Sequence, residues 1–92
     1  MSKAPEYLQI NDDNIVIELK KGVEIEGVVV KSFTMREPTV QDNLALDSIK
    51  GSDAEKEITY FANLCEQAPD DLKGLTQRDY VRLQKAYSFF ID

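Results

Sequence analysis

Between Asn14 and Arg36 the apolar residues Ile15, Ile17, Leu19, Val23 and Ile25 stand on odd positions, opposite Glu18, Lys20, Glu24 and Glu26. That period of two belongs to a half-buried strand. Beyond Pro38 the apolar residues recur at intervals of three and four instead, which is the spacing of a helix face. A chain that changes period once, in this order, is predicted to be α+β. The reading is an N-terminal antiparallel β-hairpin over 14–36 followed by about three helices packed on it, at about 40–50, 53–66 and 77–90.

Glu26-Gly27 supplies the reversal of the hairpin, because glycine tolerates positive φ. The returning strand is irregular: Val28 and Val30 have one parity, Phe33 and Met35 the other. A β-bulge near Lys31-Ser32 would reconcile them, and so would a strand partly covered on both faces. Pro38 stops the ladder for want of an N–H, and Thr39 follows as an N-cap with Asp42 in the first helical turn. Arg36 and Glu37 are expected to fix this strand-to-helix corner together with Pro38, Thr39 and Asp42. Val40, Leu44 and Ile49, with Leu46 or Ala45, form the apolar face of the first helix.

Gly51 closes that helix, and Ser52-Asp53-Ala54-Glu55 opens the next with a capping box. Ala54, Ile58, Phe61, Ala62 and Cys65 make one buried stripe, with Leu64 on its flank. Pro69 begins a short helical turn, and Thr76 with Asp79 caps a last helix whose inner face is Tyr80, Leu83, Tyr87 and Phe90. Residues 1–13 lack periodicity and read as a flexible lead-in, with Tyr7, Leu8 and Ile10 as docking points; residues 14–92 read as one domain.

With 92 residues and 42% apolar content the chain supports one modest core. Its longest apolar run, Val28-Val29-Val30, is far below the length of a membrane span, and no apolar segment of a secretory signal follows Met1. The net charge of −6 opposes binding to nucleic-acid phosphates and suits a basic or apolar protein partner.

The chain contains no histidine, which removes the usual general base and the commonest neutral metal ligand. The single Cys65 lacks an activating partner and sits on a helix stripe, where a packed thiol is expected. The acid clusters Asp12-Asp13, Asp53 with Glu55 and Glu57, and Asp70-Asp71 lack calcium-loop spacing and fit helix starts. Neither a phosphate-cradling loop nor a nucleophile elbow occurs. Lys20-Lys21 and the stripe Arg78, Arg82, Lys85 are the only basic groupings, and they read as solvated. No catalytic residue, metal or cofactor is therefore expected. Exposed apolar side chains are the candidates for partner contact: Phe89, Ile91, Tyr60 and Leu46.

One order of motifs has a family likeness. Met35-Arg36-Glu37-Pro38-Thr39 with Asp42, then Ile58-Thr59-Tyr60-Phe61-Ala62-Asn63-Leu64-Cys65, then Pro69-Asp70-Asp71-Leu72 followed by Leu75-Thr76-Gln77-Arg78-Asp79-Tyr80, resembles the Mu-type tail assembly chaperones of contractile-tailed bacteriophages and prophages. The likeness covers about residues 14–90. It implies a non-enzymatic protein that binds the tape-measure protein transiently during tail morphogenesis. It also implies a place in the bacterial host cytoplasm rather than the mature virion. Partners would be that protein, a longer frameshifted form of the chain itself and further copies of it, without nucleic acid or membrane. The alternative from the residues alone is a small acidic inhibitor or DNA-mimicking regulator, which needs its acids on one continuous surface.

Overall fold

The computed structural model describes residues 4–91. A three-stranded antiparallel sheet in the order β1-β2-β3 is followed by four helices, an α+β arrangement. The strands are β1 (Leu8–Ile10), β2 (Asn14–Ile25) and β3 (Val28–Arg36), and the helices are α1 (Val40–Ala45), α2 (Asp53–Leu64), α3 (Pro69–Lys73) and α4 (Gln77–Phe90). One face of the sheet carries Ile15, Ile17, Leu19, Val23, Phe33 and Met35 into the core. Against it lie Phe61, Ala62 and Leu64 of α2, Leu72 of α3, and Leu83 and Ala86 of α4.

Residues 8–10, read as part of a lead-in, pair with residues 15–17 as an edge strand. Leu8 is buried by that pairing, and three residues are too few to show a period. Residues 1–3 of the lead-in lie outside the described residues.

The hairpin closes at Glu26 and Gly27, with Ile25 opposite Val28. Both turn residues have positive φ, 53° and 82°, as the right-handed strand twist requires of a two-residue loop. Glu26 holds this geometry against the preference of its Cβ. Glu26→Asn is therefore expected to stabilise the fold by about 0.5–1 kcal/mol, read as a rise in the denaturant midpoint at constant slope.

The bulge exists, but on the other strand. Glu18 pairs with Ser32 and Val23 with Val30, so residues 19–22 of β2 face Lys31 alone. Three extra residues are an odd number, which flips the parity of β3. Ile15 opposes Met35 and Ile17 opposes Phe33 below the bulge, whereas Val23 opposes Val30 above it. The parity break in β3 was visible in the sequence; the strand that absorbs it was not.

The first helix is shorter than expected and packs differently. Five residues of the range 40–50 lie beyond α1: Leu46–Ser48 form a single 3-10 turn, and Ile49 is already extended. Asn43, Asp47 and Ser48 compete with a helical backbone through their own side chains. No residue of α1 is buried, so the apolar face expected to cover the sheet faces outward. Helix α2 ends at Leu64 rather than residue 66 because Glu66 turns left-handed, with φ 56°. Its N–H donates to Asn63 O and that of Gln67 to Ala62 O, a Schellman closure with glutamate in the glycine position. Helix α4 keeps its predicted bounds.

Candidate functional site

The corner around Pro38 is built by an ion pair that the sequence reading had divided otherwise. Arg36 Nη1 and Nη2 donate to Asp42 Oδ2 and Oδ1 at 2.7 and 2.9 Å, a planar two-bond pairing. The Thr39 N–H donates to Asp42 Oδ2 at 2.9 Å, and the Asp42 N–H donates back to Thr39 Oγ1 at 3.2 Å. The guanidinium of Arg36 holds the Asp42 carboxyl far below the usual carboxylate range, helped by Thr39 and opposed by partial burial. Glu37 takes part in the corner through its backbone: its side chain is exposed, and its N–H donates to Asp13 O at 3.0 Å. This corner anchors α1 at its first turn while leaving the rest of the helix unsupported.

A second constellation was not anticipated. Asp79, read as a helix cap, is fully buried and turns its carboxylate into the β2 bulge. The N–H of Lys20 donates to Oδ1 at 2.7 Å, and those of Lys21 and Gly22 donate to Oδ2 at 3.1 and 3.0 Å. Burial pushes this carboxyl up, but the three amides outweigh it and hold the group below its ordinary value. Thr76 alone supplies the cap, accepting from the Asp79 N–H at 3.2 Å. Gly22 is required here: its φ is +85°, and a Cβ would stand 2.6 Å from Val30 O. Lys31 Nζ donates to Lys20 O and Lys21 O, and Arg82 donates to Glu18 O at 2.7 Å while lying 4.2 Å from the centre of the Tyr7 ring. Lys20 and Lys21 thus meet Arg78 and Arg82 of the last-helix stripe at one place, joined by the bulge, while Lys85 lies over the Phe89 ring. The interruption of the alternation at Lys20-Lys21-Gly22 was the available sign of it.

The four candidate contact residues fare differently. Ile91 is exposed, at 61%. Phe89 and Leu46 are half-buried and pack against the core, Phe89 with the Lys85 ammonium 5.7 Å from its ring centre. Tyr60 is a correction: it is only 5% exposed. Its ring meets Tyr87 edge-on at 5.6 Å, and the two hydroxyls share a hydrogen bond at 3.3 Å. The buried arc of α2 is wide enough to include it because α4 closes over that side with Tyr80 and Tyr87 against Phe61. The exposed apolar residues that sequence reasoning had assigned inward are Val40 and Leu44 of α1, 77% and 58% exposed, and Val28 at the hairpin tip, where Val29 is exposed as well.

Burial raises the Cys65 thiol to about 12, leaving no thiolate at neutral pH for nucleophilic attack. Glu55 accepts from the Ser52 N–H, and Asp71 from the Ala68 N–H, as helix caps. Among the described residues no group of three or more His, Cys, Asp or Glu is placed to hold a metal ion, and no helix is long and apolar enough to cross a membrane.

A family model described as "Phage tail assembly chaperone proteins, E, or 41 or 14" matches residues 16–92. No curated protein and no solved structure matches the chain.

Proposed function

The chain belongs to the phage tail assembly chaperone family, and from that premise we propose that it binds the tape-measure protein transiently, without catalysis, by covering apolar helical segments of that client. The observation that carries the reading is α1: a helix capped and ion-paired at its start, yet burying none of its residues. Val40 and Leu44 are four residues apart and share one face of it. An anchored helix with an uncovered apolar face is suited to lie against an amphipathic client helix, with Ile91 at the end of α4 and the half-buried Leu46 and Phe89 as further contacts. Few contacts on a small acidic body give reversible binding and add charge to a client that would otherwise aggregate. The host cytoplasm is where such a client is made and where this action would take place.

The acidic-inhibitor reading is the weaker one. It needs acids displayed together, whereas Asp42, Glu55 and Asp71 are engaged as caps on three separate helices and Asp79 is buried.

Co-expression with the tape-measure protein tests the proposal. The wild-type chain is expected to raise the soluble fraction of the client, and Val40→Asp/Leu44→Asp to lose most of that gain. Because both residues are exposed, the variant should keep its melting temperature to within about 4 °C. A client equally insoluble with and without the wild-type chain would overturn the reading.

A further inference from the structure

We propose that the cationic surface gathered by the bulge is a docking site for the acidic shoulder between α1 and α2 of a second copy, so that copies associate head to tail. The inference does not rest on the client reading: the charged residues it uses lie outside α1, and Leu46, at the wall of the acidic cavity, is shared with the proposed client contacts.

Asp79 draws α4 against the bulge and thereby brings Arg78 and Arg82 beside Lys20, Lys21 and Lys31. Five of the eleven basic residues of a chain with net charge −6 meet there. Lys20, Lys21, Thr76 and Arg78 line an open cavity of about 540 Å³ with no carboxylate in its wall. Asp79 is turned inward, with its oxygens taken by amides, and Glu6 and Glu18 lie on the adjoining concavity with Lys31 and Arg82. The cation excess is therefore greatest on the Arg78 side. Among the described residues the ion pairs are Arg36 with Asp42 and Lys73 with Asp70, and none involves these five.

The complementary surface is in the same sequence. Between α1 and α2, Asp47 and Asp53 are both exposed, and neither belongs to an ion pair among the described residues. Asp47 and Asp53 line a second cavity, of about 290 Å³, with Leu46, Lys56 and Glu57; Glu57 accepts from Tyr80 Oη and Gln84 Nε2, which leaves Asp47 and Asp53 as its uncommitted acids. When each patch engages a different neighbour the contact runs head to tail and continues through successive copies, whereas a closed two-fold pair joins both patches at once; a chain that stops at twice the monomer mass would overturn the head-to-tail arrangement. Exposed charges give such a contact speed, salt sensitivity and modest affinity.

Sedimentation velocity reads the contact directly. The wild-type chain is expected to gain mass with concentration at about 50 mM salt and to return to monomer at about 0.5 M, where charges are screened within about 4 Å. Lys21→Glu/Arg78→Glu and, separately, Asp47→Lys/Asp53→Lys should each weaken association at least tenfold, roughly the effect expected for reversing exposed pairs. Mixed together, the two variants should associate again, since each keeps one native patch and the two reversed patches are themselves opposite in charge. If Asp53→Lys lowers the melting temperature, Asp47→Lys alone replaces it. A wild-type chain that is monomeric at both salt concentrations, or a variant mixture that stays monomeric, overturns the proposal. So does salt-sensitive binding of a single-stranded oligonucleotide that Lys21→Glu/Arg78→Glu abolishes in a chain that remains monomeric.

Discussion

Replacing Asp79 by alanine is expected to remove about 3–5 kcal/mol of stability, because three main-chain amides lose a buried, charged acceptor at once. For a small domain whose whole stability is about 5–15 kcal/mol, this means a melting temperature lower by at least about 12 °C. Asp79→Asn is a sharper variant. Oδ1 takes one amide and Oδ2 takes two, so an asparagine in either orientation sets its NH₂ against at least one donor. The pH dependence has a definite sign. The folded state holds this carboxyl below its ordinary value, so its contribution is complete above about pH 4, the unfolded value, and is lost as pH falls through the lower folded one. Denaturant midpoints measured from pH 5 downward should fall less steeply for Asp79→Asn than for the wild type. A shallow loss for Asp79→Ala, under about 1 kcal/mol, would show that water replaces the carboxylate in the bulge.

Gly22→Ala should be nearly as damaging, at about 3 kcal/mol, since it combines left-handed backbone with a Cβ forced onto a carbonyl. That carbonyl is Val30 O, 2.6 Å from the ideal Cβ position. The chain contains its own control. Gly27 has nearly the same φ, +82°, and nothing within 4 Å of the corresponding position. Gly27→Ala should therefore cost only the conformational part, about 1 kcal/mol, and the difference between the two variants measures the close approach of β2 to β3. Equal losses at both sites would mean that Val30 moves aside.

These two residues mark where the sequence could be read and where it could not. Pro38, the Thr39 and Ser52 caps, the Glu26-Gly27 turn and the limits of α4 depend on neighbours within four residues, and local chemistry announces each. Asp79 follows Thr76 by three residues, so it looks like a second capping group. Its real partners are 57 to 59 residues away, and nothing local distinguishes the two roles. Tyr60 falls beside the predicted stripe of α2, and only the arrival of Tyr87 across the interface shows that the stripe is wider. The apolar spacing of α1 was correctly seen and wrongly placed. Periodicity says that a face is apolar; which surface covers it is decided by the rest of the chain. The exposed apolar surface was for that reason the least legible part: Ile91 was rightly read as exposed, while Val40 and Leu44 were assigned to the core.

The bulge also decides which pairing of the two long strands is compatible with the rest of the fold. A pairing continued without it from Glu18 and Ser32 would set Val30 opposite Lys20, an outward position, and turn the upper half of β3 over. Such a slipped hairpin is a natural competitor early on, when only nearby residues have met. What excludes it is a carboxylate on the last helix, which satisfies Lys20, Lys21 and Gly22 only when they are bulged. The register on each side of the bulge is thus set by the sheet's own residues and its turn, while the joint between the two registers is held by a side chain of α4.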